Sequence, residues 1–198
     1  MTASETSTKA EFAQYHSFLL DSCYKTLNQC VVTQRIQQLS DVIDNIKSLP
    51  AELMQHRASF VTLIKNLQLR GCIGSLQAHR PLLEDLVHNT CAAALRDPRF
   101  GAVQEEELPQ IEIHLSILSE PVPIDVSSEA DLIKKIQPGI DGLVLTEGHH
   151  QATFLPSVWE QLPDKQEFLD QLKRKAGLAP DYWSDTLAFE RYHCEIIE

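Results

Sequence analysis

The chain has 198 residues, 43% apolar and 23% charged, an ordinary globular mix that argues against disorder and against a fibrous protein. Lys and Arg number 17 against 28 Asp and Glu, a formal charge of −11 that lacks the basic footprint nucleic acid binding needs. No window approaches the roughly 18 apolar residues of a membrane-spanning helix, and residues 1–10 show no apolar stretch of a signal peptide.

Residues 1–9 read as a disordered leader, and Thr8 and Glu11 have the spacing of a capping box that would open a helix. Phe12, Tyr15, Leu19, Cys23 and Leu27 follow at helical spacing. A second helix is expected over Val32, Ile36, Leu39, Ile43 and Ile46, ended by Pro50. Residues 59–64 are β-branched and aromatic and read as a strand, with 67–74 returning as its hairpin partner. Pro81 suits the first turn of a helix whose apolar face is Leu82, Leu83, Leu86, Val87, Cys91, Ala94 and Leu95. Ile111, Ile113, Leu115 and Ile117 alternate with polar residues as a half-buried strand does.

A connector with Pro121, Pro123 and a short helix over 128–136 leads to a second hairpin, 142–145 with 151–155, turning at Glu147-Gly148-His149-His150. Asp164 and Glu167 cap a helix carrying Phe168, Leu169, Leu172 and Ala176, with Gly177 in the C′ position. A closing strand is expected from Leu187 to Ile196, without clean alternation. Hairpin, helix and strand thus occur twice, near 59–118 and 142–197. The fold class expected is α+β. Two β-β-α-β halves would share a core and pool their strands into one curved, largely antiparallel, barrel-like sheet, with N-terminal helices. Residues 10–198 would form one domain.

The five cysteines, Cys23, Cys30, Cys72, Cys91 and Cys194, are odd in number and irregularly spaced, without a Cys-x-x-Cys pair. That fits free thiols in a reducing cytoplasm, and neither a structural zinc site nor another cofactor is expected. The distinctive stretch is Leu69-Arg70-Gly71-Cys72-Ile73-Gly74-Ser75. In an extended strand Arg70 and Cys72 share a face at about 6–7 Å, so the guanidinium could lower the thiol's pKa. The glycines would allow close approach by a ligand or another backbone. Equally, they could mark a bulge, with Cys72 a small core hydrophobe.

This stretch resembles the signature of the AMMECR domain family, protein A of the prokaryotic AmmeMemoRadiSam system. Further segments match in order: Arg57-Ala58-Ser59-Phe60-Val61-Thr62-Leu63, Asp97-Pro98-Arg99-Phe100, Glu106-Glu107-Leu108, Pro138-Gly139-Ile140-Asp141-Gly142-Leu143, Thr153-Phe154-Leu155-Pro156-Ser157-Val158-Trp159 and Lys175-Ala176-Gly177-Leu178. The resemblance spans the chain from about Glu11 onward. It implies two related α/β halves around a barrel-like sheet, a signature motif beside a cleft, and a pathway shared with a Memo-like protein and a radical S-adenosylmethionine protein. It implies no defined reaction. The family has a glycine at the first hairpin turn where this chain has Asn66-Leu67-Gln68, so a looser turn is expected.

The candidate site is therefore Cys72 with Arg70, lined by Gly71, Ile73, Gly74, Ser75 and, from the family pattern, Glu107. One reading is a binding or partner module without catalysis, in which Arg70 anchors a peptide or small anion. The alternative is a thiol-dependent enzyme, with Cys72 the nucleophile of an acyl transfer or covalent modification and backbone N–H groups stabilising an oxyanion. The other candidates have plainer readings. His149 and His150 would point to opposite strand faces, too far apart to form a metal pair. His114 is opposite in phase to its apolar neighbours, and His79 would be a base only if its loop folds back. Asp97 and Arg99 suit a loop ion pair, and Trp159, Tyr182 and Trp183 suit core or interface.

Overall fold

The computed structural model describes residues 11–198, so the leader expected at 1–9 and the Thr8 half of the expected capping box lie outside the described residues. After a 3₁₀ turn at Ala13–Tyr15 the first helix, α1, runs from His16–Thr33 and buries Leu19, Cys23, Leu27 and Cys30. It stops where Gln34 turns left-handed at φ 52°.

The second helix expected over 32–46 is absent as one element. The chain forms only a four-residue helix, α2 (Leu39–Val42), and 3₁₀ turns at Ile46–Ser48 and Ala51–Met54. Its apolar residues still serve the core: Leu39 and Val42 are buried in it, and Ile36, Ile43 and Ile46 are half-buried against it. A strap laid over a curved surface buries residues at uneven intervals, and here those intervals imitate a helix.

Two compact units follow from the chain's internal contacts. One runs through Leu118 and takes in Glu195–Glu198, and the other is Ser119–Cys194. In the first, β1 (Ser59–Lys65) and β2 (Gln68–Gly74) form the expected hairpin. Its two-residue turn has Asn66 at φ 53° and Leu67 at φ 61°, so it is as tight as a glycine-containing turn and not the looser one expected. Helix α3 (Leu82–Leu95) and strand β3 (Ile111–Leu118) follow, with β3 adding beside β1. Val61, Leu63, Ile113 and Leu115 face a core made with α1 and α3. Ser59, Asp85 and Asn89, all buried, lock α3 to β1: Ser59 Oγ and Asn89 Nδ2 donate to Asp85 Oδ2 at 2.7 and 2.9 Å.

The second unit repeats the order. Strands β4 (Val122–Pro123), β5 (Gly142–Glu147) and β6 (His150–Phe154), helices α4 (Glu129–Lys135) and α5 (Lys165–Lys175), and strand β7 (Ala188–Tyr192) surround Leu143, Leu145, Trp159, Phe168 and Leu172. Pro123 sits on an edge strand, where its missing N–H costs no ladder bond. Asp164 caps α5 by accepting the Glu167 N–H, and Gly177 takes φ 81° beyond it, as the sequence predicts.

The strands form two antiparallel four-stranded sheets, β2-β1-β3-β8, in which β8 is Cys194–Ile197, and β4-β7-β5-β6, where one shared sheet was expected. The reason is that each unit supplies its own helices and closes its own core. The repeat itself survives in the pairing. In each unit the first hairpin strand is central, flanked by its hairpin partner and by the strand after the helix. The closing strand also divides: β7 ends at Tyr192, and after His193 the chain continues as β8 (Cys194–Ile197) in the other sheet. Among the described residues no helix is long and apolar enough to cross a membrane.

Candidate functional site

The site grows from the pleat of β1. Residues that face one another across antiparallel strands share a sheet face. Thr62 faces Cys72 of β2 on one side and His114 of β3 on the other, so the three form a row. Val61 and Leu63 point into the core, which puts the row on the opposite, half-buried face. Thr62 Oγ1 donates to Cys72 Sγ at 3.2 Å, and His114 Nδ1 lies 3.5 Å from Glu198 Oε1.

Arg70 is not the free cation the motif suggests. Leu63 pairs with Gly71 and Ile64 with Leu69, which leaves Arg70 as the extra residue of a β-bulge. Both carboxylate oxygens of Glu107 accept from it, Nε to Oε1 and Nη2 to Oε2, each at 2.9 Å. Lys65 Nζ donates to the same Oε1 at 2.9 Å and the Gln104 N–H to Oε2 at 3.0 Å, so the carboxylate is saturated. The Arg70 contact, helped by Lys65 and opposed by burial, holds the Glu107 carboxyl well below the usual carboxylate range. The bulge falls at Arg70 and not at Gly71 or Gly74, where a glycine-marked bulge was the alternative expected, and Glu107 meets Arg70 there.

The open edge of β2 is closed by side chains. Among the described residues no strand neighbours its outer edge. At Cys72 the outward N–H donates to Asp97 Oδ2 at 2.8 Å, and the outward carbonyl accepts from Arg99 Nη2 at 3.1 Å. Asp97 and Arg99 are joined at 2.7 Å and again through Arg99 Nε at 2.9 Å. This loop ion pair stands in for a strand and protects an edge that would otherwise invite pairing. Arg99, with the Cys72 N–H, holds the buried Asp97 carboxyl well below its ordinary range, and Asp97 in turn keeps Arg99 charged beside Cys72. The cation at the thiol is thus Arg99, not Arg70. The guanidinium carbons of both arginines lie over the Phe100 ring, at 5.5 and 5.9 Å from its centroid.

The glycines are required by packing. A Cβ on Gly71 would stand 2.3 Å from the Ala93 carbonyl oxygen of α3, and one on Gly74 would stand 2.4 Å from the Phe60 ring and the Ser59 carbonyl oxygen. Both thus serve close backbone approach, and neither has a positive φ. The other unit repeats the device, with Gly142 paired to Tyr192 and under its ring. Ile73 is half-buried against the core, and Ser75 closes the loop after β2 through Ser59 and Gln77.

His79 is exposed, and the side chains that hydrogen-bond Cys72 are Thr62, Asp97 and Arg99. His149 and His150 do not point apart. The turn at Gly148, φ 58°, puts their rings 4.3 Å apart, and His150 Nδ1 lies 2.8 Å from the Ala176 carbonyl at the end of α5. Trp159 stacks on Phe168 at 3.6 Å in the second core. Sequence reasoning missed Lys65 and Thr62, though their places at the end and middle of an alternating strand were visible. It also missed the second unit's buried Asp141, which accepts the Gln137 N–H at 2.9 Å and lies 3.1 Å from His193 Nε2 and 3.7 Å from Arg191 Nη1. Among the described residues no group of three or more His, Cys, Asp or Glu is placed to hold a metal.

A fold of two sheets, each built on a hairpin, helix and strand, with an arginine-clamped bulge and a side-chain-closed edge around one cysteine, defines the class. The AMMECR1 family model matches residues 20–197, and the chain belongs to that family. It is 35% identical over 195 residues to a protein of Thermococcus gammatolerans, covering 93% of this chain and 90% of that one. A protein of Methanothermobacter thermautotrophicus is 41% identical over 138 residues, 69% of this chain and 72% of that one. The crystal structure of uncharacterized protein PH0010 from Pyrococcus horikoshii superposes with a TM-score of 0.75 at 30% identity, covering 92% of this chain and 90% of that one.

Proposed function

We propose that this chain is a binding module whose recognition face is the row around Cys72, and that it takes an acidic peptide segment of a partner protein. The carrying observation is the guanidinium of Arg99, fixed at the edge of the row by Asp97 and the Cys72 carbonyl. A positioned guanidinium beside a half-buried row is a docking point for an acidic group. Arg99 is the contact residue, because its side chain is 52% exposed whereas Arg70 is spent on Glu107. Arg70, Gly71, Gly74 and Glu107 hold the face rigid, and Ile73 and Ser75 support the strand end. The partners are a Memo-like and a radical S-adenosylmethionine protein, as the family association suggests, in the cytoplasm. That one family model runs through both units supports reading residues 10–198 as one functional domain.

Fluorescence anisotropy with a labelled polyglutamate peptide tests this reading. Binding should weaken with added salt and fall at least several-fold in Arg99→Gln, while Arg99→Lys keeps part of it. Equal binding by wild type and Arg99→Gln overturns it. A second reading has one observation of its own: Cys72 Sγ accepts from Thr62 Oγ1 at 3.2 Å on the sheet face away from the core, where a substrate can meet a nucleophilic thiol. Iodoacetamide labelling of Cys72 against pH separates the two. A midpoint well below an ordinary thiol favours the enzyme. An ordinary midpoint leaves the binding module.

A further inference from the structure

Arg57, Arg70, Arg80, Arg99 and Arg191 each lie against a carboxylate. Arg35 and Arg96 do not: both are exposed, and among the described residues neither side chain makes an ion pair or a hydrogen bond. The path of the chain brings them together. Gln34 stops α1 by turning left-handed at φ 52°, and Arg35 follows it. Arg96 ends α3, its N–H donating to the Ala92 carbonyl. The two arginines line one cavity of about 440 Å³, with Gln34, Ile36 and Leu95 as the rest of its wall.

A cation beside a helix C-terminus is favourable by itself, and one arginine on each helix would serve that end. Here the two cations share one space, where like charges repel. Each helix end carries roughly half a negative charge, so the two ends offset about one of the two cations. Among the described residues no carboxylate lines the cavity, and its wall stays positive on a chain of net −11. An anion completes such a wall.

We propose that this cavity binds the phosphate group of a small organic phosphate monoester. One guanidinium fork already matches the two oxygens of a carboxylate, whereas two forks match the several free oxygens and near-double charge of a phosphate monoester. The volume lies within the roughly 300–1,000 Å³ of small-molecule sites. Ile36 and Leu95 give the cavity an apolar side, and Ile36 also borders a neighbouring cavity of about 600 Å³ walled in part by Leu39, Met54 and Val87. An organic group carried on the phosphate gains from covering that surface, and inorganic phosphate does not. The site shares no residue with the face around Cys72.

Isothermal titration of the full chain with phenyl phosphate is the test. Saturable binding at one site is expected, tighter than that of inorganic phosphate, and Arg35→Gln and Arg96→Gln should each raise Kd about tenfold. Arg35→Lys keeps the charge without the fork and should lose less. Arg174→Gln removes the same charge from an exposed arginine of α5 outside the cavity, and should bind as the wild type does. The wild type alone gives a second readout: phenyl phosphate should slow phenylglyoxal modification of Arg35 and Arg96, mapped by mass, and leave Arg174 unprotected. No saturable binding, inorganic phosphate binding as tightly as phenyl phosphate, or protection of Arg99 in place of Arg35 and Arg96 would overturn the assignment.

Discussion

Gly71 and Gly74 are held to glycine by different neighbours, and substitution separates their roles from that of Cys72. Gly71→Ala pushes a methyl against the Ala93 carbonyl of α3, and Gly74→Val pushes one into Phe60 and the Ser59 carbonyl. Overpacking of this kind costs about 1–3 kcal/mol, so calorimetry should show each melting several degrees below wild type. Cys72→Ala loses a half-buried sulfur and one hydrogen bond from Thr62, and should shift the midpoint by less than about 1 kcal/mol. The opposite ranking would make Cys72 a core residue. Leu67 gives a change of the other sign. It is 92% exposed and sits at φ 61°, so it packs on little and occupies a strained turn position. Left-handed backbone costs a non-glycine residue about 1–2 kcal/mol, of which glycine's greater unfolded freedom takes back about half. Leu67→Gly should therefore raise the urea midpoint, and a lowered midpoint would mean that Leu67 packs on something in solution.

At the scale of elements, the bulge of β2, the Glu105–Gln110 turn and the loop at Asp97 hold together only while two carboxylates stay ionised. Both Glu107 and Asp97 have folded pKa values below their unfolded ones. Their stabilisation is therefore complete above the unfolded carboxylate pKa of about 4, and is lost as pH falls below it toward the folded values. Urea unfolding from pH 6 down to pH 3 should show wild-type stability falling more steeply than that of Glu107→Gln; parallel curves would remove Glu107 from the acid response. These elements also show where sequence reading stops. The hairpin of β1 and β2 was legible because period-two alternation is local. The Arg70–Glu107 clamp joins residues 37 positions apart, and nothing in either neighbourhood announces the other. The stretch from 34 to 54 misled because apolar residues on a strap can recur at helical spacing without helical backbone. The closing strand lost its alternation because the chain changes sheets at His193, and one string of residues there serves two faces.

For the whole molecule, the last strand matters more than its length suggests. Glu195 of β8 reaches back across the sequence: both its oxygens accept the Phe12 N–H at 3.1 Å, and Oε1 lies 2.7 Å from His16 Nε2. Glu195→Ala should therefore speed amide exchange at the start of α1 and leave the exchange of α5 and β5 as in the wild type. Equal acceleration in both units would mean that Glu195 acts on overall stability and not on this end of the helix.

The path of the chain has a consequence for synthesis. Ser119–Cys194 is an insertion within the other unit, whose fourth strand is β8. A chain made from its N-terminus presents β2, β1 and β3 with one edge of β3 bare while all of the insertion is still being added. At about 5–20 residues per second, that exposure lasts for some seconds. During that interval the bare edge of β3 is the surface open to a wrong partner, and chaperone protection would matter most there. A nascent chain stopped just before Cys194 should be more sensitive to protease along β3 than one carrying β8.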